Sequence, residues 1–175
     1  FLFATLWKLI GGEYLDGSFL HATFLLDHRL AMGAFLFGGL DLATLAENRQ
    51  IFETMQASAN VLDPQQLTTT PRMAAASLVL SYWTILIEGL VAASFLLPIR
   101  SLYKKRDWLL IGFVITTYTV IPVLGFGALL MVMGLIQTKS NLMARIYLGL
   151  LILMPVWMPL PQGIFGLIQR IFFST

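Results

Sequence analysis

Hydrophobic positions fall into long runs separated by short polar segments. Residues 1–10 form an apolar run too short to cross about 30 Å of hydrocarbon. A secretory signal would place its positive charge ahead of such a run, whereas Lys8 lies near the end of this one. The run therefore reads as the inside of a helix in a longer chain. Residues 11–29 mix glycines, aromatics and ionisable side chains, an interfacial or re-entrant pattern. Residues 30–46 are apolar but short, fitting either a short span or a helix packed inside the protein.

Residues 47–72 form the one clearly polar stretch. They carry Glu47, Arg49, Glu53, Asp63 and Arg72, with breakers at Pro64 and Pro71. A helical start followed by an extended, Pro-flanked loop is expected. Residues 73–98 predict a transmembrane helix with a single charge, Glu88, past its middle. The segment 99–107, IRSLYKKRD, reads as a short loop with four cations and one acid.

Residues 108–137 form the next apolar run, about 45 Å long if helical. Pro122 near its centre predicts one kinked or tilted span. A polar turn over 138–145 leads to a last span over 146–161, interrupted by Pro155, Pro159 and Pro161. Residues 164–173 read as an amphipathic helix at the interface. The fold class predicted is an all-α, polytopic transmembrane bundle of about four spans, with 1–175 as a single transmembrane domain.

Composition supports hydrocarbon as the solvent. Hydrophobic residues make up 58% and charged residues only 11%, with mean hydropathy +0.81. An ordinary soluble domain is about 25% charged. These totals exclude a disordered tail, a collagen-like fibre, a coiled coil and a nucleic-acid-binding domain. The absence of cysteine excludes disulfides, thiolate catalysis and iron–sulfur ligation.

The net charge of +2 is concentrated in Arg100, Lys104, Lys105 and Arg106. Dense positive charge in a short loop places 99–107 in the cytoplasm and the acidic stretch 47–72 on the extracytoplasmic side. Helix 73–98 then runs inward, 108–137 outward, and the last span returns inward toward Arg170. Lys139 and Arg145 compete with this assignment.

Glu88 and Lys8 are the candidate catalytic residues. A carboxylate inside a membrane helix is costly and commonly acts as a proton carrier or ionic partner. Lys8 ends an apolar run, where it serves either as a base or as a snorkelling anchor at the membrane edge. Tyr14, Asp16, His21 and Trp83 are the candidate ligand-binding residues. Glu13 and Asp16 are three apart and could pair on a helix face. His21 and His28, seven apart, would share a face about 10 Å apart, too far for joint ligation. No metal site is expected, and Asp27 with Arg29 reads as an interfacial salt bridge.

Trp7, Tyr14, Trp83, Tyr103, Trp108 and Trp157 are expected as interface anchors, with quinone or pigment stacking as the functional counterpart. Gly38–Gly39, Ala74–Ala76 and Gly125–Gly127 are expected to permit close helix contact.

Two segments resemble a known family. LWKLIGGEYLDGSFL, residues 6–20, carries Lys8, Tyr14, Asp16 and Gly17 in order. YWTILIEGLVAASFLLPIR, residues 82–100, carries Trp83, Thr84, Glu88 and Arg100. Together they resemble HTTM proteins, the horizontally transferred transmembrane group related to vitamin K-dependent gamma-carboxylase. DoxX-like membrane proteins share similar features.

The resemblance covers roughly residues 1–135. It implies a multi-helix membrane fold, and a quinone-linked enzyme in which Lys8 is the base. This sequence departs from the family in residues 108–137, which contain no histidine where members tend to place one. The function expected first is therefore a non-catalytic membrane component packing against partner subunits, lipid, pigment or quinone. The alternatives are the quinone-linked enzyme, with Lys8 as base and Glu88 as proton relay, and a proton-coupled transporter using Glu88.

Overall fold

A computed structural model describes residues 1–57, 66–121, 123–157 and 163. Among these the chain is helical, with eight α-helices and no strand. They are α1 (Leu2–Ile10), α2 (Ser18–Leu26), α3 (Ala31–Gly38), α4 (Leu42–Ala57), α5 (Pro71–Leu96), α6 (Arg100–Val120), α7 (Leu124–Gln137) and α8 (Asn141–Trp157), with a 3-10 turn at His28–Leu30. Asp63, Pro64, Pro122, Pro159, Pro161 and the predicted end helix 164–173 with Arg170 lie outside the described residues, as does the side chain of Trp157.

The all-α expectation holds. At 26 residues, α5 is the one described helix long and apolar enough to cross a membrane. It reaches about 39 Å. The apolar helices α7 and α8 are shorter.

The chain divides into two compact units, Leu6–Ile85 and Phe1–Thr5 with Leu86–Thr175. In the first, Leu20, Phe24, Leu30, Ala34, Leu45 and Met73 are buried. Residues 30–46 do not form one helix: α3 stops at Gly38 and α4 begins at Leu42. Gly39 makes the break by adopting a φ of 69°, which glycine enters without steric cost. Asp41 then accepts a hydrogen bond from the Thr44 amide at 2.8 Å, capping α4.

The extended stretch after α4 is held by side chains. Asn48 is fully buried; its Nδ2 donates to the Thr68 carbonyl and its Oδ1 accepts from the Thr68 amide, both at 2.8 Å. Thr70 Oγ1 donates to the Gly38 carbonyl at 2.7 Å and accepts from the Met73 amide at 3.0 Å, at the start of α5. Pro71 suits the first helical position because its missing N–H has no helical partner to lose. Asn48→Ala is expected to cost about 2 kcal/mol, since it strands both Thr68 backbone groups. Thermal unfolding in detergent checks this.

The second unit has its own core, including Val91, Val114, Met131, Tyr147 and Met154. Its topology corrects two expectations. The segment 99–107 is not a loop: α6 begins at Arg100, so the cations lie on its first two turns. The run 108–137 is not one kinked span. It breaks between Val120 and Leu124, where Ile121 has φ −118° and ψ 90° and Val123 has φ −114° and ψ 81°. A proline disfavours α geometry in the residue before it, which accounts for Ile121.

The two halves form an antiparallel hairpin. Near the turn, the Tyr118 and Phe126 rings meet at 6.3 Å. At the far end, Arg106 Nη2 donates to the Gln137 carbonyl at 3.2 Å and Thr138 Oγ1 donates to Asp107 Oδ2 at 3.1 Å. α8 returns antiparallel to α7, with Tyr147 packed on Gly134 and Met154 on Gly127. Of the small-residue runs, Gly38 against Met73 and Gly127 against Met154 are close contacts, whereas the Cβ direction of Gly125 is open.

The hairpin brings Lys139 and Arg145 to the end that carries Arg100, Lys104, Lys105 and Arg106. The competition between these two groups of cations, read from a single span over 108–137, does not exist in the folded unit.

Candidate functional site

Five of the six candidate residues belong to the Leu6–Ile85 unit. Lys8 sits in the last turn of α1, its Nζ 4.9 Å from the centre of the Tyr14 ring. Tyr14 in turn stacks on Phe19 at 4.6 Å. Asp16 Oδ1 accepts from the Ser18 amide at 2.8 Å and so fixes the start of α2. Gly17, at φ 78°, follows in a position where a Cβ would fall 2.9 Å from Leu78 Cα. Tight backbone approach explains the glycine after Asp16. His21 Nε2 and Thr69 Oγ1 are hydrogen-bonded at 2.6 Å, linking α2 to the segment before α5. Trp83 lies on α5, partly exposed.

These groups therefore shape local structure: a cation over an aromatic ring, a turn, and a tie between segments. Glu13 and Asp16 do not share a helix face, because residues 11–17 separate α1 from α2. His21 and His28 do not share one either, since α2 ends at Leu26 and His28 opens the 3-10 turn. The Asp27–Arg29 salt bridge is present at 2.6 Å, and Asp27 also accepts from the Arg29 amide.

Three aspartates in this unit are held below the ordinary carboxylate range. The Ser18 hydrogen bonds lower Asp16, the Arg29 guanidinium lowers Asp27, and the Thr44 hydrogen bonds lower Asp41. A depressed folded pKa contributes stability that is present above the unfolded value of about 3.9 and is lost as pH falls through the folded value. The amide proton shifts of Ser18, Arg29 and Thr44 are expected to hold steady from neutral pH and to titrate only below the ordinary aspartate range. A midpoint within or above that range would contradict these caps.

Glu88 belongs to the second unit, where it is buried on α5. The principal polar cluster at the cationic end was not visible in sequence. Asp107 accepts from Thr138 at one carboxylate oxygen and from Tyr147 at the other, at 3.1 Å each. Its partners lie 31 and 40 residues away. The signals available were a lone acid in a basic segment and a tyrosine in an apolar helix.

Beside this cluster is a cavity of about 370 Å³, lined by Phe1, Phe95, Leu96, Leu110, Met133 and Gln137 among others. The Arg106 guanidinium stands 4.3 Å from the Tyr103 ring and 5.9 Å from the Phe95 ring, and its hydrogen bond to Gln137 ties it to the lining. Neither Lys8 nor Glu88 lines this cavity.

No family model, curated protein or solved structure matches the chain.

Proposed function

We propose that this is a multi-pass integral membrane protein without chemistry of its own, a component whose helices pack against lipid and partner subunits. The observation that carries the proposal is the exposure of apolar stripes at helical spacing. On α5 the stripe is Val79, Tyr82, Trp83 and Leu86; on α7, Phe126, Leu129, Met133 and Ile136; on α8, Leu148, Ile152 and Val156. Water would penalise such faces at about 25 cal/mol per Å², whereas lipid tails would not. Charge respects the same division: α7 has none, and those of α6 stop at Asp107.

The six-cation end is proposed to be cytoplasmic. α5 then carries the chain inward from the side of residues 47–72. Exposed Trp7, Tyr103 and Trp108 support an aromatic belt. The HTTM resemblance enters this proposal as a likeness of helical architecture.

Extraction in mild detergent from native membranes tests it. The chain is expected to migrate in a complex larger than its own 19.5 kDa with its micelle, and Lys8→Ala and Glu88→Gln should leave that complex intact. Recovery as a monomer that turns over a quinone analogue, with turnover lost in Lys8→Ala, would overturn it in favour of the quinone-linked enzyme.

A further inference from the structure

We infer that the cavity at the cationic end of the second unit holds the acyl chain of an anionic lipid, with the headgroup against Arg106 and its neighbouring cations. This rests on the bilayer-embedded reading above and names a ligand class for it.

Shape and charge both point this way. The cavity volume lies within the range of ligand pockets, about 300–1,000 Å³. Its lining is hydrocarbon and aromatic apart from Gln137, so it suits a chain and offers little to a polar body. Its walls come from residues 1–3, the last turns of α5, Leu110 of α6 and the second half of α7, and Leu110 lies one turn past Asp107, where the charged segment gives way to apolar helix.

Arg106 defines the rim. Its guanidinium lies over Phe95, a lining residue, and donates to the carbonyl of Gln137, another. Arg100, Lys104 and Lys105 lie on the same two turns of α6, and the hairpin adds Lys139 and Arg145. From residue 86 onward the chain has seven cations against two acids, and one of those acids, Asp107, is engaged by Tyr147 and Thr138. Excess positive charge at headgroup level attracts anionic lipid.

The test uses the full chain in phosphatidylcholine vesicles, with spin-labelled phosphatidylglycerol, stearate or phosphatidylcholine as probes. The immobilised spectral component is expected to favour the anionic probes. Preference for phosphatidylglycerol over stearate identifies a phospholipid as the source, and the reverse identifies a free fatty acid.

Arg106→Gln should lower the anionic preference about fivefold, the effect of one cation near the surface. Met133→Trp fills the cavity from its exposed side and should remove the selective component while helix content is kept. Equal immobilisation of anionic and neutral probes, or a selective component unchanged by Met133→Trp, would overturn the inference. Retention of the chain in carbonate-washed vesicles is measured in parallel. Loss of retention refutes the membrane proposal, whereas retention without selectivity refutes the lipid site alone.

Discussion

Leucine in place of Gly134 is expected to unseat α7 from α8. A Cβ at this position already runs into the Tyr147 ring. That ring has no room to move aside: Tyr147 is fully buried, and its hydroxyl donates to Asp107 Oδ1 at 3.1 Å. Overpacking of a tight contact costs about 1–3 kcal/mol, and a branched side chain against a pinned ring falls at the upper end. Denaturation by SDS from mixed micelles measures it. The clash has a specific partner, so Gly134→Leu combined with Tyr147→Ala should be less destabilised than the two single losses added together. Strict additivity would show that the damage arises elsewhere.

Loss of the Asp107 carboxylate should rank beside it. Asp107→Ala leaves the Thr138 hydroxyl without its acceptor and leaves that of Tyr147 only the main-chain carbonyl of residue 107, at 3.3 Å. Hydrogen bonds to a charged group contribute about 1.5–3 kcal/mol each; the one from Thr138 is lost outright, and the one from Tyr147 is exchanged for a longer bond to a neutral carbonyl. Tyr147→Phe keeps the ring against Gly134 and removes only one, so it should cost about half as much in the same titration. The pair also has a local consequence. Asp107 ties α6 to Thr138, just beyond α7, and to Tyr147 on α8. Its removal should therefore loosen the cationic end before the other end of the hairpin, where α6 stops at Val120 and α7 begins at Leu124. Amide exchange at Thr138 is expected to quicken in Asp107→Ala while that at Val114 holds; uniform quickening would contradict the local role.

Much of the helical architecture was legible because long apolar runs have one dominant solution. The run 73–98 and the observed α5 differ by only two residues at each end. What escaped was direction. A thirty-residue run with a central proline is compatible with a bent span or with a hairpin, and hydropathy is the same for both. The deciding interactions, Arg106 with Gln137 and Asp107 with Thr138, join residues 31 apart. Likewise, charge alone made 99–107 a loop, although nothing in RSLYKKRD prevents a helix.

The candidate residues divide in the same way. Asp27 with Arg29 and Asp16 with Ser18 act within two positions, and the first of these was read directly from sequence. His21 with Thr69 spans 48 positions and could not be. Asp107 and Tyr147 were passed over because each, taken alone, reads as an ordinary residue of its segment.

Sidedness is the most direct measurement. The chain has no cysteine, so single cysteines at positions 105 and 139 report without interference. In sealed vesicles of known orientation, an impermeant maleimide should reach Lys105→Cys and Lys139→Cys from the same, cytoplasmic face. Labelling of the two from opposite faces would contradict the hairpin, and with it the gathering of six cations at one end of a membrane-embedded unit.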